Sequence, residues 1–157
     1  MRMVHISELI ENGKVYFCDF TSRDDLYAYL ADDLYAQDYV QDTFLSALKE
    51  REATFPTGII ATCYNIALPH VDAVHVKKNA LIIAVLNHPI NYVRMDKLDE
   101  QINVKVVFML LIKDISVHTQ AISSLAKLWF NQTFMNAVLS VKSKEELVAL
   151  VKQAEAE

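Results

Sequence analysis

Glycine is almost absent from this chain: only Gly13 and Gly58 occur among 157 residues. Walker loops and dinucleotide fingerprints each need several glycines in a short span, so neither can be assembled here. Any phosphate the protein handles is expected to come from a source other than a nucleotide. Cysteine is scarce too. Cys18 and Cys63 stand apart, without the Cys-x-x-Cys spacing of redox or zinc motifs or the density of a secreted scaffold, and both read as reduced thiols. The longest apolar runs, Ala80 to Leu86 and Val106 to Ile112, fall well short of the ~20 residues that cross a bilayer, so no direct membrane insertion is expected. The N-terminus, Met-Arg-Met-Val-His-Ile-Ser-Glu, has no apolar signal region before a small-residue cleavage site, which points to the cytoplasm. An excess of positive charge is missing as well. With 15 Lys+Arg against 20 Asp+Glu the net charge is -5, and no nucleic-acid partner is expected.

What is present is apolar material. Hydrophobic residues make up 53% of the sequence, enough for one domain spanning 1–157 that buries roughly 70% of its unfolded surface. Val4 to Phe20 reads as a short, irregular strand region. Thr21-Ser22-Arg23-Asp24-Asp25 offers caps for a first helix with Leu26, Leu30 and Ala31 on its inner face, ending near Ala36 or Gln37. Asp38-Tyr39-Val40-Gln41 resembles a capping box for a second helix facing inward through Val40, Phe44, Leu45 and Leu48, and Pro56 stops it. Gly58 to Tyr64 favours extended structure, broken at Pro69. The two continuous apolar runs predict strands covered on both faces, with Asn87-His88-Pro89 turning the chain after the first. Ser116 is the expected cap of a helix with face Ile122, Leu125, Ala126 and Trp129, and Ser143-Lys144-Glu145-Glu146 the capping box of the last. The expected fold class is α/β, a single domain with a mixed β-sheet flanked by helices.

The stretch richest in chemistry runs Arg51-Glu52-Ala53-Thr54-Phe55-Pro56-Thr57-Gly58-Ile59-Ile60 and resumes at Ala67-Leu68-Pro69-His70. Proline fixes its own backbone angle and restricts its predecessor, so it can aim the imidazole that follows it. An imidazole with an ordinary pKa near ~6.5 is largely neutral and nucleophilic at cytoplasmic pH, which suits a reversible phosphoryl acceptor. On residue chemistry alone, a loop histidine is more often a polar surface or capping residue.

The pattern Arg-Glu-x-x-Phe-Pro-Thr-Gly-Ile followed by Ala-Leu-Pro-His resembles the mannitol/fructose-type A components of the phosphoenolpyruvate-dependent sugar phosphotransferase system. Together with Ala73-Val74-His75 it looks closest to the galactitol-type branch. The resemblance covers most of the chain and is strongest between Arg51 and Lys77. It implies a phosphotransferase with a phosphohistidine intermediate. His70 would take a phosphoryl group from the phosphocarrier HPr and hand it to a cysteine of a B component, which acts with a membrane C component in sugar or polyol uptake. By position, His118 matches the family's second histidine and Arg51 its arginine. Arg51 would clamp the phosphoryl oxygens, and His118 would donate from a helix start where free amides favour an anion. Thr57 is a candidate hydroxyl donor to substrate phosphate and equally a turn residue. No cofactor or metal is implied. An exposed apolar patch around His70 would form the docking surface. Where the family often flanks its histidine with glycines, this chain has Asn65 and Val71. A regulatory module of the same fold, whose phosphorylation alters binding to another protein, is the alternative.

Other constellations are weaker. His70 and His75, five residues apart, lack a carboxylate or cysteine pattern to complete a metal site. Cys63 could be paired with His70 as nucleophile and base, but it is expected within a strand, where buried thiols are inert. His5 and His88 read as surface residues, and Trp129, Phe130 and Phe134 as core.

Overall fold

The computed structural model describes residues 4–156, which leaves Met1 to Met3 of the N-terminal segment outside the described residues. Five strands form one mixed sheet in the order β1-β4-β5-β3-β2, with β1 Lys14–Cys18, β2 Gly58–Ile60, β3 Asn65–Ala67, β4 Ala80–Val93 and β5 Gln101–Leu111. The pairs β1–β4 and β3–β5 are parallel, whereas β4–β5 and β2–β3 are antiparallel. Helices cover both faces, as the sequence predicts. No helix among the described residues is long and apolar enough to cross a membrane.

Each face has its own core because side chains alternate along a strand. On one side, Leu81, Ile83, Phe108 and Leu110 pack with α1 (Ile6–Glu11), α4 (Ile115–Trp129), α5 (Gln132–Val138) and α6 (Lys144–Glu155). On the other, Ile82, Ala84, Val107 and Met109 pack with α2 (Arg23–Ala36) and α3 (Phe44–Thr54). The two central strands are therefore buried on both sides, which is why Ala80 to Leu86 and Val106 to Ile112 are apolar without interruption.

Several helix starts are as read. Ser22 Oγ accepts from the Asp25 amide, and Ser143 Oγ accepts from the Glu146 amide. Other expectations need correction. Val4 to Phe20 is a strand only in its second half, as β1: ahead of it Ile6, Leu9 and Ile10 lie at helical spacing and are buried in α1, whose first amides, of Ile6 and Ser7, are met by the Glu155 carboxylate at 2.8 and 3.4 Å. Asp38-Tyr39-Val40-Gln41 ends α2 rather than opening α3. Asp38 takes φ 65°, its amide bonds to Tyr35 O and the Tyr39 amide to Leu34 O, the pair of bonds that closes a helix on a left-handed residue. Val40 is then drawn into a bridge with Val76, and α3 begins only at Phe44.

Asn87-His88-Pro89 does not turn the chain. It is a bulge inside β4, where pairing jumps from Val85–Val106 to Ile90–Val104, and Pro89, which lacks an N–H, sits in the break. The cap of α4 is Asp114, not Ser116, and its carboxylate accepts from the Ser116 amide and hydroxyl. Cys63 is exposed at φ 77° in the turn between β2 and β3 rather than within a strand. Phe130 lies 75% exposed, outside the core that holds Trp129 and Phe134. The short helix α5 has no counterpart in the sequence reading; Asn131 caps it by accepting from the Phe134 amide.

Candidate functional site

Sheet topology brings Arg51, His70 and His118 to one edge. Because β3 and β5 are parallel neighbours, their C-terminal ends lie together, the place where open α/β sheets bind ligands. His70 follows β3, and His118 lies on the first turns of α4, which follows β5. Since β2 runs antiparallel to β3, Gly58 pairs with Ala67, so the end of α3 that carries Arg51 reaches the same edge.

The backbone ahead of His70 is fixed on two sides. The Leu68 amide donates to Thr57 O at 3.1 Å and the Leu110 amide donates to Pro69 O at 3.0 Å, with Leu68 and Pro69 both buried. The imidazole itself is half-buried. Its Nδ1 lies 2.8 Å from the Leu68 carbonyl oxygen, a partner that can only accept, so Nδ1 carries the hydrogen and Nε2 the lone pair. Nε2 lies 3.4 Å from Arg51 Nη2. The His118 ring lies beside it, with centroids 5.4 Å apart and planes at 55°.

Arg51 is shared. Its Nη1 pairs with Asp72 Oδ1 at 3.3 Å, its guanidinium lies 5.2 Å from the centre of the Phe55 ring, and its Nε is buried without a partner among the described residues. Burial holds the His70 pKa below the ordinary histidine value and the Arg51 cation adds to this, outweighing the Leu68 carbonyl and Asp72, which act in the other direction. His118 is lowered as well, by burial first and then by His70 and Arg51. Both rings are thereby favoured in their neutral forms.

Two details depart from expectation. Thr57 is 1% exposed, and its hydroxyl donates to the Glu52 carboxylate at 2.8 Å, so this hydrogen points into the core instead of toward His70. The start of α4 is not a set of free amides, because Asp114 already accepts from Ser116, Val117 and His118. His75 stands apart from the pair, with its Nδ1 2.7 Å from the Thr43 hydroxyl. No group of three or more His, Cys, Asp or Glu suited to a metal occurs among the described residues.

Sequence reasoning missed Asp72 and Glu52. Asp72 lies two residues past His70, close enough to have been tested as a partner for Arg51. Glu52 is eight residues after Phe44 and four after Leu48 and shares their buried stripe, a polar residue at an apolar position. A groove of about 290 Å³ opens beside Arg51, lined in part by Glu50, Phe55, Val71, Asp72 and His75. The three segments carrying the site also expose Phe55, Val74 and Ile115.

A family model described as phosphoenolpyruvate-dependent sugar phosphotransferase system, EIIA 2, matches residues 8–154, and the chain belongs to that family. It is 30% identical over 95 residues to the galactitol-specific EIIA component of Escherichia coli (strain K12), across 60% of this chain. The match spans 63% of that relative's own length, less than two thirds. A crystal structure solved for a proposed PTS IIA domain of Streptococcus pyogenes M1 GAS superposes with a TM-score of 0.76 at 18% identity, covering 97% of this chain and 98% of that one. The Escherichia coli complex of enzyme IIAMTL with phosphorylated enzyme IIBMTL contains a chain of the same fold, with a TM-score of 0.70 at 15% identity over 89% of this chain and 94% of that one.

Proposed function

We propose that the chain is a cytoplasmic phosphoryl carrier that uses His70 Nε2 to take a phosphoryl group from phospho-HPr and pass it to a cysteine of a B component, during uptake of a galactitol-like polyol or sugar. One observation carries the reading: Nδ1 is tied to the Leu68 carbonyl, so the free lone pair sits on Nε2, facing Arg51 at 3.4 Å. Membership of the EIIA 2 family supports the carrier role, and the galactitol-specific relative supports the substrate class. The IIA–IIB complex of the mannitol protein supports a B-type partner.

In the first transfer, the Nε2 lone pair attacks phosphorus on the donor. The new N–P bond forms as the donor's own N–P bond breaks, and the donor imidazole keeps the electron pair. In the second, a cysteine thiolate attacks the same phosphorus, the S–P bond forms, and the pair returns to Nε2. Little covalent work falls to the protein, so its contribution is positioning and charge stabilisation. Arg51 meets the equatorial oxygens with N–H donors in a planar fork. His118, held neutral, donates one ring N–H to the transferring group. Thr57 supports the backbone next to His70 from within the core. Phe55, Val74 and Ile115 provide apolar contact for both partners in turn.

The test is incubation with phosphoenolpyruvate, Enzyme I and HPr, followed by intact mass measurement of the wild type and His70→Ala. The expected result is one acid-labile phosphoryl group on the wild type, none on the variant, and its loss when a B component is added. A wild type that stays unmodified sinks the proposal.

A further inference from the structure

Glu52 lies 5% exposed on the core face of α3, below Phe44 and Leu48, and none of the ion pairs among the described residues includes it. A carboxylate in such a place is costly unless its oxygens are occupied. They are: the Thr57 amide donates to Oε2 at 2.8 Å, the Thr57 hydroxyl to Oε1 at 2.8 Å, and the Tyr27 hydroxyl to Oε1 at 2.9 Å. Tyr92, also buried, donates to the Tyr27 oxygen at 2.9 Å. Burial pushes both phenols far above the ordinary tyrosine range, so both remain donors.

This carboxylate sits at one end of a continuous chain of bonds that reaches the reacting ring. Glu52 holds the Thr57 amide, Thr57 O accepts from the Leu68 amide at 3.1 Å, and Leu68 O accepts from His70 Nδ1 at 2.8 Å. Along the chain, Glu52 is also the covalent neighbour of Arg51. A leucine would continue the apolar stripe of α3, but it would remove the hydrogen bonds that tie α3 to the Thr57 backbone, on which the Leu68 amide rests. We propose that Glu52 is a positioning residue, which fixes the Arg51 guanidinium relative to His70 Nε2 by tying α3 to the backbone that holds the imidazole. The inference rests on the carrier reading for its kinetic consequence but not for its geometry.

Glu52→Leu keeps the stripe apolar and removes the tie, whereas Glu52→Gln keeps a carbonyl oxygen for the Thr57 amide. For phosphoryl uptake from phospho-HPr, Glu52→Leu is expected to lower kcat by roughly 10- to 100-fold, as misplacement of about an ångström does, with KM nearly unchanged. Glu52→Gln should recover most of that loss. Histidine titration by NMR gives a second readout: with Arg51 no longer held beside it, His70 should titrate at higher pH in Glu52→Leu and close to wild type in Glu52→Gln. If Glu52→Leu does not fold, Thr57→Val, which deletes only the hydroxyl bonds, should move both readouts in the same direction by less. Folded variants with wild-type kcat and wild-type His70 titration would overturn the proposal. A wild type that accepts no phosphoryl group would instead sink the carrier reading, and the titration would still decide the role of Glu52.

Discussion

Arg51 Nη2 lies 3.4 Å from His70 Nε2 while Nη1 of the same guanidinium holds Asp72 Oδ1 at 3.3 Å. One planar group thus spans the His70 ring and an exposed carboxylate, and a phosphoryl group arriving on Nε2, as proposed, would compete with Asp72 for it. Lysine supplies the same charge from a single point and cannot make both contacts in a plane. Arg51→Lys should therefore slow phosphoryl uptake by on the order of 10²-fold, the usual cost of losing one transition-state donor, while the fold persists. Single-turnover uptake and a melting curve check this; uptake within twofold of wild type would contradict it.

The histidine pair sets a pH response. Both His70 and His118 have pKa values below the ordinary one, chiefly through burial. His70 is therefore expected to titrate by NMR below the ~6.5 of a free imidazole. The linked effect on stability has a definite sign. Above about pH 6.5 neither state binds these protons and there is no effect. As pH falls below that value, the unfolded chain binds them first and the folded state loses ground, until pH passes below the folded-state pKa values. Urea midpoints should accordingly drop as pH falls below about 6.5, and less so in the double variant His70→Gln/His118→Gln. Equal drops in both proteins would refute the assignment.

How much of this was readable beforehand follows from the kind of signal each feature leaves. The buried strands and the helix caps Ser22 and Ser143 are local, because a run of apolar residues or a hydroxyl before a helix acts within a few positions. The ends of elements were less legible where tertiary contacts decide them. Val40 would suit a helix start, but it is taken by a bridge to Val76, and Pro89 looks like a turn residue although the long β4–β5 pairing continues past it. At the site, Arg51, His70 and His118 came from a family pattern. Their meeting depends on β3 and β5 being parallel, which no single segment reveals. Thr57 was placed by its proximity in sequence to the motif, and its neighbour across the turn, Glu52, claimed its hydroxyl.

His118 offers a sharper distinction than simple loss of function. Its lowered pKa favours the uncharged ring, so in the proposed mechanism it would serve as a neutral N–H donor. Glutamine is also a neutral donor of comparable reach, whereas alanine donates nothing. His118→Gln should keep phosphoryl uptake within about tenfold of wild type, and His118→Ala should lose on the order of 10²-fold. Rates from a phospho-HPr titration decide the matter, and equal losses in the two variants would show that the donor role is wrong.

Gly58 tests the frame that holds the site together. It pairs with Ala67 in β2–β3 and with Arg94 from the other side, and its amide neighbour Thr57 is the residue gripped by Glu52. A Cβ at this position would lie 2.7 Å from the Val93 carbonyl oxygen and 3.1 and 3.2 Å from side-chain atoms of Ile102 and Tyr92. The nearest of these is backbone, so relief requires β2 to move away from the end of β4. Overpacking of this kind costs about 1–3 kcal/mol, and Gly58→Ala should lower the urea midpoint accordingly. Because Thr57 directly precedes the displaced strand, uptake by folded Gly58→Ala should fall as well, in proportion to any shift in the His70 titration. A variant with unchanged stability would mean that the strand accommodates the methyl group without strain and that the close approach at Gly58 does not set the frame.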